Sequence, residues 1–180
     1  MHRRVRQLSE LRRSLVPLLR SLTTISFSQY GEDVLLHALV PQARGFYIDV
    51  GAYHPWRSSN TYRLYLRGWR GITVEPNIDA AALFRRMRPS DTHLTLGISE
   101  QPSKLTYFRF KDAINNSFDV ARAAKLKDDL VAEISVDCIP LRDIVSAHCV
   151  GTPIDLLSVD CEGLDREVWR VSTGVRRGPR

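Results

Sequence analysis

Apolar residues in this chain fall into two patterns: short continuous runs, and stripes with members three or four positions apart. The first predicts strands buried on both faces, the second amphipathic helices between them. "FYIDV" (46–50), "GITVEP" (71–76), "HLTLGIS" (93–99) and "IDLLSVD" (154–160) are the continuous runs. Between the first two, "SSNTYRLYLRGW" (58–69) offers polar caps in Asn60 and Thr61, an amphipathic turn or two and a stopping glycine. "IDAAALFRRM" (78–87), "PLRDIVSAH" (140–148) and "GLDREVWR" (163–170) read as further helices. An earlier helix is signalled by a capping Ser28 with Glu32 and Asp33 in the first turn, where carboxylates oppose the helix dipole, and Pro41 and Gly45 end it.

"KLTYFRF" (104–110) alternates in character as a half-exposed strand does, and "AEISVDCI" (132–139) is expected to pair with it across "KDAINNS" and a short helical stretch. The repeated strand–helix alternation predicts an α/β fold: a mostly parallel sheet with helices on both faces, an inserted hairpin, and right-handed crossovers.

Charge divides the chain into three parts. Residues 1–27 carry +5, Arg170, Arg176, Arg177 and Arg180 add +4, and the body 28–169 is left at −3 out of a total of +6. Basic ends on a mildly acidic body argue against a nucleic-acid groove across the fold. In the leader, Leu8, Leu11, Leu15, Leu18 and Leu22 form one helical stripe among arginines, interrupted by Pro17. Such a helix packs on its own domain or touches a membrane surface or partner. No apolar run reaches the roughly 18 residues needed to span a bilayer, and no signal peptide is evident. The segment 170–180, rich in arginine, glycine and proline, reads as a disordered tail.

Cys138, Cys149 and Cys161 form no CxxC pair, and none of the five histidines shows HxxxH spacing. Free thiols in a reducing, cytoplasmic setting are expected, and no metal site.

In an open α/β sheet the ligand lies beyond the carboxyl ends of the strands, near the switch in strand order. That rim would hold Asp49 with Gly51, Glu75, the stretch Gly97–Ser99, and Asp160 with Glu162. A dinucleotide fingerprint beginning at Gly51 would need glycine at positions 53 and 56, where Tyr53 and Trp56 stand. No GxxxxGK[ST] loop occurs anywhere. NAD, FAD and ATP are therefore disfavoured, which leaves an adenosine ligand without phosphates. S-adenosylmethionine (SAM) fits: an acid ending the second strand can accept its ribose hydroxyls, and Glu75 lies 26 positions after Asp49. The acidic turn "DVGA" suits its ammonium and sulfonium charges. His54, the one histidine in this loop, is a candidate base, although "HP" also serves to shape a loop.

Taken in order, "SQYGED" (28–33), "YIDVGAYHP", "SNTYRLYLRGWRGITVEPN", "LTLGIS" and "IDLLSVDCEGLDREV" (154–168) resemble the FkbM-type methyltransferases, a branch of the class I, Rossmann-like SAM-dependent enzymes. The resemblance implies O-methylation of a hydroxyl on a sugar, glycan or other small molecule. It implies that Asp49, Gly51 and Ala52 line the methionine part of the cofactor and that Glu75 binds the ribose. It also implies that Asp160 and Glu162, within "DCEG", lie near the transferable methyl, where a carboxylate acts as base or positions the acceptor. The alternative for that pair is to cap the helix that follows. Gln29 and Glu32 are expected to hold the N-terminal helix over the cofactor cleft. Members of the superfamily continue through further strands, whereas this sequence ends 20 residues past Asp160, so a truncated sheet is expected. Two other functions stay open: a non-catalytic fragment keeping the cofactor half, and a peripheral module acting through residues 1–27.

Overall fold

The computed structural model describes residues 25–161. The leucine-striped leader, the helix expected at 163–170, Glu162 and the basic tail all lie outside the described residues.

Four strands form the main sheet: β1 (Phe46–Val50), β2 (Arg70–Val74), β3 (Thr92–Leu94) and β7 (Leu156–Val159), in the order β3-β2-β1-β7 and parallel throughout. Three more, β4 (Gly97–Ile98), β5 (Ser103–Phe110) and β6 (Leu130–Ile139), make a second sheet in which β5 and β6 run antiparallel. The helices are α1 (Glu32–Leu39), α2 (Tyr62–Leu66), α3 (Ile78–Met87), α4 (Val120–Lys125) and α5 (Leu141–His148). The mostly parallel sheet, its crossover helices and the hairpin agree with the expected α/β architecture.

Period-two side-chain alternation divides β1 and β2 between two cores. Ile48, Val50, Ile72 and Val74 face Leu141 and Ile144 of α5 and Ile98 of β4, all almost fully buried. Fully burying one such side chain contributes roughly 1.5–3 kcal/mol. On the opposite face Tyr47 packs with Leu64 and Trp69, and Phe84 of α3 stacks on His93 with ring centroids 4.3 Å apart.

Three local expectations are corrected. "HLTLGIS" is two strands, because the chain leaves the main sheet after Leu94 and re-enters pairing at Gly97 in the other sheet, beside Cys138. The first helix begins at Glu32 with Gly31, not Ser28, at its N-cap. Ser28 instead joins Ser26, the Phe27 amide and Arg63 in hydrogen bonding a fully buried Asp33, which ties the segment 26–28 to α1 and α2. At the start of α2 Thr61 holds the N-cap position, but its side chain makes no capping bond, and the Ser59 hydroxyl accepts the Tyr62 N–H at 3.2 Å instead. Thr61 turns inward to Asp49, and Asn60 reaches Ser158.

Candidate active site

β2 and β3 extend to one side of β1 and β7 lies on the other, so the order of the sheet reverses between β1 and β7. At that switch point the strand ends diverge and leave a crevice. A cleft of about 850 Å³, its open mouth included, occupies it. Gly51, Tyr53, Glu75, Asp160 and Cys161 line the rim side; Leu96, Gly97 and Ile98 line the floor toward the second sheet.

Gly51 has φ of 77°, a left-handed conformation that side chains disfavour. A Cβ there would also collide with the carbonyl of Asp160, whose amide donates to the Val50 carbonyl at 2.9 Å. Backbone from β1 and β7 therefore meets at the crevice with no room for a side chain. Beyond it, Tyr53 and Ser58 are the two non-glycine residues with positive φ among the described residues, and both line the cleft. Each such position costs roughly 1–2 kcal/mol, and strain of this kind collects at binding sites. Tyr53 thus adopts the backbone that glycine would, and its N–H meets Glu75 Oε2 at 2.8 Å.

Glu75 lines the cleft while only 5% exposed. Its Oε1 accepts the Asn77 N–H at 2.9 Å, and the Tyr107 hydroxyl lies 3.3 Å from the same oxygen. Burial pushes its pKa up, against the pull of the two backbone amides and Tyr107. A carboxylate offers about four lone-pair sites, so acceptor capacity remains toward the cleft. Asp160 reaches the lining from the end of β7 and is exposed to solvent.

Other expected site residues lie elsewhere. Asp49, 3% exposed, is not part of the lining: its Oδ2 accepts the Thr61 hydroxyl at 2.5 Å, and Arg88 donates to that same hydroxyl oxygen at 2.9 Å. Burial raises the Asp49 pKa, opposed by Arg88, Thr61 and Ser158. Arg88, itself 1% exposed, continues to Asp91 at 2.8 Å and to the Tyr47 hydroxyl at 2.5 Å. Ala52 is buried against Ala80 and Phe84, behind the lining. His54 is also outside it. Its Nδ1 accepts the Arg57 N–H at 3.1 Å and the Trp56 N–H at 3.3 Å, which assigns its proton to Nε2; burial, then the Arg57 charge, lowers its pKa. Of the two residues expected to hold α1 over the cleft, Gln29, which precedes the helix, lines the cleft, while Glu32 accepts the Tyr30 amide.

Sequence reasoning missed the whole far wall. Tyr107 of β5 and Ala113, Ile114, Asn116, Ser117 and Phe118 of the following loop line the cleft, although they belong to the second sheet and its connection. Their alternation marks a half-buried strand but not what it faces. Among the described residues no group of three or more histidines, cysteines or acids could hold a metal, and no helix is long and apolar enough to cross a membrane.

A parallel sheet with a cleft at its switch point, one carboxylate beyond each of two strands and, among the described residues, no basic side chain in the lining, has the build of a Rossmann-like methyltransferase. Residues 49–176 match the methyltransferase FkbM domain, and the chain belongs to that family of methyltransferases. Comparison with curated proteins and with solved structures gives no match.

Proposed function

We propose that this chain uses SAM to methylate a hydroxyl of a small molecule or glycan, in the cleft at the β1/β7 switch point. The observation that carries the reading is the chemistry of the lining: among the described residues it holds two carboxylates, Glu75 and Asp160, with no lysine or arginine, and a far side on which Ala113, Ile114 and Phe118 alternate with polar Asn116 and Ser117. Phosphates would find no counter-charge there, whereas a cationic adenosine ligand meets acids of opposite sign. When bound, the cofactor supplies an electrophilic methyl group.

Glu75 holds the ribose, using the acceptor capacity that its backbone amides leave free. Gly51 brings bare backbone to the methionine part. Asp160 faces the acceptor, positioning its hydroxyl and taking its proton as the oxygen attacks; Glu162, two residues on, is assigned to the same edge by the sequence pattern. Ala52 supports the loop from behind. His54 orders the turn 54–57 through Nδ1, and only its Nε2 would be free for work at the mouth of the cleft. Asp49 acts from beneath the rim through Thr61 and Arg88.

The test is methyl transfer from labelled SAM to a panel of hydroxyl acceptors, comparing wild type with Asp160→Asn. A base or acceptor-positioning group acts mainly in the transition state, so kcat should fall by about 10²–10⁴-fold with cofactor affinity little changed. Near-normal kcat in the variant would leave Asp160 as a structural residue of the β7 end.

A further inference from the structure

The second sheet shares none of its ladder with β1, β2, β3 or β7, yet with the loop after β5 it supplies a large part of the cleft lining. Its position along the rim decides what it touches. From β7 to β3 the rim runs Asp160, Gly51, Glu75 and then Leu96, and the hairpin meets it toward the Leu96 end, where Phe118 lies against Gly97 and Tyr107 reaches Glu75. If Glu75 takes the ribose and Asp160 faces the methyl end, the ring of the nucleoside projects toward that loop.

The loop is built to hold a fixed place there. Phe118 lies against Gly97 so closely that a Cβ on Gly97 would come within 2.7 Å of its ring. The same ring packs on Tyr107 with centroids 4.8 Å apart. Asn116 Oδ1 accepts the Phe110 N–H at 2.9 Å, which ties the loop back to β5. Tyr107 in turn reaches Glu75. Tyr107 therefore couples the hairpin to Glu75, and Ile114 and Phe118 place apolar surface beside it in the lining.

We propose that the inserted hairpin is the base-binding wall of the cofactor site: Phe118 and Ile114 pack on the adenine ring, and Tyr107 orients Glu75 for the ribose. This rests on the SAM reading above and extends it to residues outside the main sheet. Hydrophobic and aromatic surface suits a flat, weakly polar purine, and the hydroxyl relay suits a sugar diol.

The experiment is calorimetric binding to the full 180-residue chain of two probes, SAM and 5′-methylthioadenosine, which shares the adenosine but lacks the amino-acid part. Phe118→Ala should weaken both by the same factor, about tenfold, as expected when a stacking partner is lost. Ile114 is 36% exposed, so Ile114→Ala keeps the fold even if Phe118→Ala does not, and should weaken both about threefold by the apolar area removed. Tyr107→Phe should weaken both probes too, but not an adenine probe without ribose, a split that a purely structural role would not produce. Wild-type binding with unchanged affinities in folded Ile114→Ala and Phe118→Ala would overturn the wall, because the loop then faces the acceptor. Loss of SAM affinity alone, with methylthioadenosine unaffected, would place it at the amino-acid end and overturn it as well. Absence of binding by the wild type to either probe would overturn the SAM reading itself and the wall with it.

Discussion

Two buried regions meet the carboxyl ends of β1 and β2, each organised around a carboxylate. Around Asp49 every polar group is answered from within: Thr61, Arg88, Tyr47 and Asp91 form a closed set of hydrogen bonds beneath the rim. Around Glu75 two backbone amides and Tyr107 answer only part of the carboxylate, and the rest faces the cleft. The register explains the difference. Asp49 pairs in height with Thr73 and Val50 with Val74, so Glu75 stands level with Gly51, two residues higher than Asp49. The lower acid is inside the pleat and points at the helices; the upper one clears the strand end. A closed polar network holds a fold, and a partly answered carboxylate at a rim is available for recognition.

The sharpest way to break this contrast is to remove the cation of the closed region. Arg88→Leu leaves Asp49 and Asp91 buried without their counter-charge, and a cost of about 3–5 kcal/mol is expected in urea unfolding. A loss below about 1 kcal/mol would show that the network does not depend on Arg88.

Next in size is the cleft acid. Glu75→Ala should weaken SAM by about 1–3 kcal/mol, the cost of a charged hydrogen-bond partner, with the fold intact by circular dichroism. Asp49→Asn should instead lower stability and leave SAM affinity nearly unchanged. Equal losses of affinity in the two variants would erase the distinction between the regions. Gly51→Ala sits at their boundary: a cost of about 1–2 kcal/mol is expected from the positive φ, and the clash with the Asp160 carbonyl should widen the crevice and reduce SAM binding.

The smallest effect concerns pH. His93, half-buried against Phe84 with Arg85 and Arg88 near, has its pKa pushed down to about 4. The folded state keeps it neutral while the unfolded chain takes up a proton near 6.5, so stability should fall as pH drops from 6.5 and level off near 4. Asp33 titrates in a separate window. Burial alone would raise its pKa, but hydrogen bonds from Ser26, Phe27, Ser28 and Arg63 bring it to about 2, so its contribution is intact above 3.8 and lost from there toward 2. Asp49 and Glu75, raised by burial, act in the opposite sense, because the folded state protonates them first as pH falls. Subtracting the curve of His93→Gln from that of the wild type isolates the imidazole. Identical slopes between pH 6.5 and 4 would remove His93 from the pH response.

Much of this was legible in the sequence, and the exceptions have physical causes. Continuous apolar runs such as "FYIDV" and "IDLLSVD" marked central parallel strands, because only strands covered on both faces need them. The break inside "HLTLGIS" left no trace, since Thr95 and Leu96 continue the alternation while the chain changes sheets. Glu75 and Asp49 looked equivalent because each closes a run, and the two-residue offset that separates them is a property of pairing between strands. The hairpin wall was invisible for a related reason: Tyr107 and Phe118 reach the cleft across a distance in sequence that local pattern does not encode. Gly51 was legible, but the close passage of Asp160, which adds a second demand for glycine, was not.

The central claim is that the cleft at the β1/β7 switch point takes an adenosine cofactor without phosphates. Calorimetric titration of the purified 180-residue chain with SAM, and separately with NAD, tests it most directly. Saturable binding of SAM at a single site, with no measurable heat from NAD, is the result expected from an acidic lining that, among the described residues, holds no lysine or arginine. NAD binding more tightly than SAM, or SAM failing to bind a chain that unfolds cooperatively, would contradict it.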